Sequence, residues 1–161
     1  MAKPSLLIIW HSRTGTSEQL AQAAADGAGE GGVLMRASDV VPDDLLMASG
    51  YLFCCPENLA SMSGEMKEMF DRCYYPVLGR IEGRSFATII AAGSDGEGAQ
   101  RQIDRIATGW RLKRVSDPWI VKTDAQERED ILAPKTVGAR ELDRASELGA
   151  ALAEGIRQGI F

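Results

Sequence analysis

The sequence predicts an α/β fold: a doubly wound, five-stranded parallel sheet with helices on both faces. Three observations predict it. Short, nearly continuous apolar runs such as LLIIW at 6–10 and FATIIAA at 86–92 fit strands buried on both sides. These runs alternate with stretches whose apolar residues recur three and four apart, the spacing of an amphipathic helix. Loops rich in small residues follow three of the runs, at 11–17, 56–63 and 93–98. In open parallel sheets, ligands bind beyond the carboxyl ends of the strands.

The elements follow in chain order. Leu6–Trp10 is the first strand, and Thr16-Ser17-Glu18-Gln19 fits a capping box that opens a helix carrying Leu20, Ala21, Ala24 and Ala25. Gly27 to Gly32 ends that helix. Val33–Ala37 is a second strand and Pro42–Ala48 a short helical connection. Tyr51–Cys55 is a third strand, closed by Pro56. Met62, Met66, Met69, Phe70, Cys73 and Val77 form the stripe of a second main helix. The fourth strand, Phe86–Ala92, runs into Gly93-Ser94-Asp95-Gly96-Glu97-Gly98, and a third helix carries Ala99, Ile103, Ile106, Ala107 and Trp110. Trp119–Lys122 is a short fifth strand. The last helix carries Leu142, Ala145, Gly149, Leu152 and Ile156.

The chain of 161 residues suits a single domain, 1–161. A net charge of −5 without any basic block argues against a nucleic-acid partner. The apolar runs are too short to span a bilayer, so no membrane is expected. Met1-Ala2-Lys3-Pro4 does not read as a signal peptide. Three cysteines, two of them adjacent, do not make a disulfide framework, which points to a cytoplasmic protein with reduced thiols. Cys54, Cys55 and Cys73 read as small core residues.

The loop at 11–17 admits two readings. A helix N-terminus offers unpaired N–H groups and a partial positive charge, and Ser12, Thr14, Thr16 and Ser17 add hydroxyls around Gly15. Together they could cradle a phosphate, with Arg13 as counter-charge. Equally, Thr16 could simply cap the helix while Gly15 turns the chain. His11, the one histidine, reads as a strand-end residue hydrogen-bonded to backbone. The formal GxGxxG at 27–32 follows a helix and precedes a strand, the reverse of the dinucleotide-binding context, and GxxxxGK[ST] is absent. The acidic, glycine-rich 93–98 loop lacks the ligand spacing of a calcium loop.

Taken together, the three loops resemble those of the flavodoxin-like superfamily, in particular the flavodoxins and the WrbA-like NAD(P)H:quinone oxidoreductases. Ser12-Arg13-Thr14-Gly15-Thr16-Ser17 resembles the flavodoxin phosphate loop. Pro56-Glu57-Asn58-Leu59-Ala60-Ser61-Met62-Ser63-Gly64-Glu65-Met66-Lys67 is similar, without a gap, to the segment after the third strand in the WrbA-like enzymes. Gly93-Ser94-Asp95-Gly96-Glu97-Gly98 stands where that family has a glycine-rich flavin loop.

The resemblance implies the strand order 2-1-3-4-5 and the cofactor FMN. It implies that Ser12, Arg13, Thr14, Gly15, Thr16 and Ser17 hold the phosphate. The flavin ring would lie between Pro56, Glu57, Asn58 and Leu59 on one side and Gly93, Ser94, Asp95, Gly96 and Gly98 on the other. The flavin would carry the chemistry, with no catalytic side chain and no metal. The implied activity moves electrons from NAD(P)H through FMN to a quinone-like or flavin acceptor. A flavodoxin-type carrier serving redox partner proteins, or a module that has lost its flavin, are the alternatives, and homo-oligomerisation stays open. The sequence departs from the family at Leu59, where relatives have Phe, and in 93–98, which has no aromatic residue. Glu57 and Asp95 are expected either to bring negative charge towards the ring or to turn to water.

Overall fold

A computed structural model describes residues 3–161; Met1 and Ala2, on which part of the signal-peptide reading rests, lie outside them. The strands are β1 (Leu6–Trp10), β2 (Gly32–Arg36), β3 (Gly50–Asn58), β4 (Ser61–Met62), β5 (Ser85–Ala92), β6 (Lys113–Arg114) and β7 (Trp119–Lys122). The helices are α1 (Thr16–Ala28), α2 (Pro42–Met47), α3 (Gly64–Val77), α4 (Glu97–Gly109), α5 (Arg128–Leu132) and α6 (Ala139–Gln158).

The sheet runs β2-β1-β3-β5, and its far edge is shared by β6 and β7, which both pair with β5 in parallel. With the edge pieces counted as one position, this is the expected order 2-1-3-4-5. Alternation along β1 divides the core. Leu7 and Ile9 face Phe53, Met66, Phe70 and Trp110 on the side of α2, α3 and α4. Leu6 and Ile8 face Leu20, Ala24, Leu52, Ile89 and Leu152 on the side of α1 and α6. Burial on both faces is why β1 and β5 read as continuous apolar runs.

The pairing of α1 with α6 depends on the absence of side chains at the crossing. A Cβ at Gly149 would collide with the carbonyl oxygen of Ala24, and one at Gly27 with that of Ser146. Gly27 therefore belongs to a helix crossing, and the chain leaves α1 through the short turn Gly29–Gly31.

Three expectations need correction. Pro56 does not close the third strand: β3 continues to Asn58, because Pro56 sits at the last rung of the β3–β5 ladder, opposite Ala91, where a missing N–H interrupts no inner bond. Met62 is not helical. It belongs to β4, which pairs Glu57 with Met62 and Asn58 with Ser61 in an antiparallel hairpin. Its two turn residues, Leu59 and Ala60, have φ of 53° and 63°, the left-handed values such a turn demands. Thr16 does not cap α1: the N-cap is Gly15, at φ 105°, a conformation that suits glycine. Between β7 and α6, residues 123–138 cross over the carboxyl end of the sheet and carry α5.

Candidate functional site

The ends of β1, β3, β5 and β7 converge on a cavity of about 80 Å3. Its walls include Ser12, Arg13, Thr14, Thr16, Ser17, Pro56, Glu57, Asn58 and Gly93. Nine residues named from the sequence thus meet at one place. Gly15 stands between two of them as the N-cap of α1, and Leu59, Ser94, Asp95, Gly96 and Gly98 lie outside the cavity.

The phosphate-loop segment is shaped from within. Ser12 Oγ accepts the N–H of Gly15 at 3.0 Å, closing a tight turn onto α1. The left-handed Gly15 then starts the helix without a side-chain cap. The first turn keeps free N–H groups and the positive end of the dipole, and Gln19 N is the first to bond back, to Gly15 O at 3.0 Å. Thr16 and Ser17 are buried, at 5% and 1% exposure, and both line the cavity. Neither hydroxyl has a partner among the described residues. Buried hydroxyls are ordinarily hydrogen-bonded, so two adjacent orphans at a helix N-terminus mark a place built for an acceptor-rich group. Arg13, exposed on the same wall, supplies a positive charge nearby.

Glu57 neither points at the cavity as a free charge nor turns to water. Its carboxylate accepts Gly96 N–H at 2.9 Å and Ala99 N–H at 3.0 Å, so it caps α4 from the neighbouring strand. Asp95 is exposed and accepts the Glu97 N–H at 3.2 Å. Leu59, at the hairpin tip, is fully exposed at 101%. Ser61 Oγ and the Met62 N–H both bond the Gln102 side chain, at 3.0 and 2.8 Å, which pins the base of the hairpin to α4.

His11 departs from its expected role. Its backbone N–H bonds Cys54 O at 3.1 Å, but its side-chain Nδ1 is buried without a partner among the described residues. Nε2 lies 3.9 Å from Glu65, which is held in turn by Arg36 at 3.0 Å. Burial pushes the imidazole below its ordinary value, against the pull of Glu65. The three cysteines are free and buried. Burial pushes the Cys55 thiol up to about 12, so it stays protonated and unreactive. Tyr74 stacks on Trp110, with centroids 5.7 Å apart, on the α3–α4 side. Trp119 lies beneath Arg144 at 4.2 Å.

Sequence reasoning missed the far wall of the cavity: Ala91, Ala92, Thr123, Ala125, Ile131 and Lys135. Thr123 follows a parallel strand directly, so the rule that singled out the other three loops could have found it. Ile131 and Lys135 lie in an exposed polar stretch without apolar periodicity.

No protein-family model matches the chain. It is 26% identical over 160 residues to a flavodoxin of Aquifex aeolicus (strain VF5), covering 94% of this chain and 86% of that one. Among solved structures it is similar to an archaeal flavodoxin, with a TM-score of 0.76, 16% identity and coverage of 95% of this chain and 99% of the other. It is also similar to the flavodoxin, WrbA-like protein of Agrobacterium tumefaciens, with a TM-score of 0.74, 16% identity and coverage of 96% and 98%. No helix among the described residues is long and apolar enough to cross a membrane. With these likenesses and with β3 at the centre of a 2-1-3-4-5 sheet, the chain has the flavodoxin-like fold.

Proposed function

We propose that this protein binds FMN and works in electron transfer. The observation that carries the reading is the pair of buried, unpartnered hydroxyls of Thr16 and Ser17 at the N-terminus of α1. A phosphate offers several acceptor oxygens and negative charge, which those hydroxyls, the free amides of the first turn and Arg13 would satisfy together. The cavity is smaller than the roughly 300–1,000 Å3 of a typical ligand pocket. It therefore suits the phosphate end, while Pro56, Asn58 and Leu59 on one side and Gly93 to Gly96 on the other would carry the ring outside it. Bound flavin would supply the redox chemistry. The chain's own residues bind, orient and shield it.

The finer reading is reduction of a quinone-like or flavin acceptor by NAD(P)H, and the alternative is an electron carrier for redox partner proteins. Likeness to a flavodoxin over most of both chains supports the carrier. The visible spectrum of the purified protein, followed by titration with FMN, tests the cofactor. Oxidation of NADH and NADPH with benzoquinone then separates the two roles: turnover identifies a reductase, and FMN binding without turnover identifies a carrier. A protein that leaves FMN fluorescence unchanged overturns the whole reading.

A further inference from the structure

Residues 123–138 cross the site, and their attachments are confined to the two ends. At the start, Thr123 N–H and Oγ1 both bond Ala92 O, at 2.8 and 3.3 Å, and Asp124 then turns the chain at φ 57°. At the far end, Lys135 N–H donates to Thr14 O at 2.7 Å, which ties the segment to the phosphate loop itself. Gln19 completes that fastening. Its Nε2 donates to Gly15 O at 2.9 Å and to Lys135 O at 2.8 Å, and its Oε1 accepts the Val137 N–H at 3.1 Å. One side chain on α1 thereby joins the turn before the helix to the segment that roofs it.

Between these fastenings, residues 126–134 are all exposed. The short helix α5 is held by Lys135, whose Nζ donates to the carbonyl oxygens of Asp130 and Ala133 at 2.5 and 2.6 Å. The segment nonetheless walls the cavity: Ile131 from its middle, with Ala125 and Lys135 nearer the two fastenings, lines it together with Thr16 and Ser17. The fit at Gly93 is tight, since a Cβ there would lie 2.7 Å from the carbonyl oxygen of Ala125. A stretch with exposed side chains and anchored ends opens at low cost.

We propose that residues 123–138 are a strap that closes over the phosphate end of the site, latched by Gln19, and that this strap restricts the site to a terminal phosphate monoester. The proposal rests on the flavin reading above. A phosphate seated on Thr16 and Ser17 has the strap on its outer side. A monoester needs one exit, towards Asn58 and Gly93. A diphosphate linkage needs a second, on the strap side, where Ile131 and Lys135 line the cavity. Gln19 is a positioning residue, because it acts through the backbone of Gly15 and Lys135.

The test measures affinities for FMN and FAD by flavin fluorescence on the wild type, Gln19→Met and Lys135→Met, together with amide hydrogen exchange of 126–134 with and without FMN. The wild type should prefer FMN over FAD by on the order of tenfold or more. Both variants should shrink that ratio by about threefold or more, and FMN should slow exchange in 126–134 of the wild type. Gln19 also touches Gly15, so a purely structural loss would weaken FMN and FAD equally. Lys135→Met removes the Nζ bonds to Asp130 and Ala133 and leaves the backbone bonds of residue 135 to Thr14 and Gln19 in place. FMN binding with an unchanged ratio in both variants and unchanged exchange overturns the strap while leaving the flavin reading intact. Failure of the wild type to bind FMN overturns both.

Discussion

The carboxylate of Glu57, at the end of β3, accepts the backbone N–H of Gly96 at 2.9 Å and, through its other oxygen, that of Ala99 at 3.0 Å. One side chain thereby fixes the distance between the 57–62 hairpin and the start of α4, the two elements between which a ring is proposed to lie. The charge of Glu57, expected either to approach the ring or to turn to water, is instead used against the positive end of a helix dipole.

Removing that bridge should separate the two loops. Glu57→Ala loses two charge-assisted hydrogen bonds and leaves two amides without their partner, a loss of about 2 kcal/mol. For a chain of this size Tm should fall by about 4–8 °C. Glu57→Gln keeps one acceptor and should lose about half as much. Thermal unfolding followed by circular dichroism checks both, and an alanine variant as stable as the wild type would contradict the bridging role.

The hairpin turn holds strain that other residues would relieve. Leu59 and Ala60 both adopt left-handed φ, at 53° and 63°, which costs roughly 1–2 kcal/mol per non-glycine residue. Asn-Gly is the favoured pair for such a turn. The double change Leu59→Asn with Ala60→Gly should stabilise the protein by about 1 kcal/mol and raise Tm by about 2–4 °C. A lower Tm would show that the exposed leucine contributes packing.

Helix α6 crosses α1 where Gly149 faces the carbonyl of Ala24. Gly149→Ala would ordinarily favour a helix by roughly 1 kcal/mol. Here the added methyl has to push the helices apart, and overpacking should prevail with a net loss of about 1–3 kcal/mol. Denaturant unfolding measures the sign. A gain in stability would mean that the crossing is looser than described.

His11 gives the fold a pH dependence. Burial lowers its pKa in the folded state below the ordinary 6.5, with Glu65 opposing and Arg36 adding to the shift. The unfolded chain therefore takes up the proton more readily. Stability from this group is fully present above about pH 6.5 and is lost as pH falls towards the folded value. Urea midpoints should drop between pH 7.5 and 5.5 in the wild type and drop less in His11→Asn. Equal drops would assign the effect to other groups.

How much of this was legible depended on which force set each feature. β1, β3 and β5 were readable because burial on both faces leaves little but apolar residues, and α3 because Met66, Met69, Phe70, Cys73 and Val77 keep helical spacing. The start of α1 misled because Thr16 and Gln19 satisfy a capping pattern. In the fold Gly15 takes the cap position and Gln19 reaches across to Lys135 and Val137 instead. The Glu57 bridge was hidden for the same reason: its partners are backbone amides of Gly96 and Ala99, which carry no signature in the sequence. The strap was hidden most completely. Its hold on the site runs through main-chain groups of Thr14, Gly15 and Lys135, and its own side chains from 126 to 134 are exposed and without period.

The central claim is that Thr16, Ser17 and the first turn of α1 grip a phosphate. Comparing FMN with riboflavin tests it most directly, because the two flavins differ only by that phosphate. Fluorescence titration of the wild type should give FMN binding tighter than riboflavin binding by on the order of 100-fold. The double variant Thr16→Val with Ser17→Ala should lose most of that preference while its Tm, read in parallel, shows the fold intact. Equal affinity of the wild type for FMN and riboflavin, or a preference that survives in the folded double variant, would contradict the account.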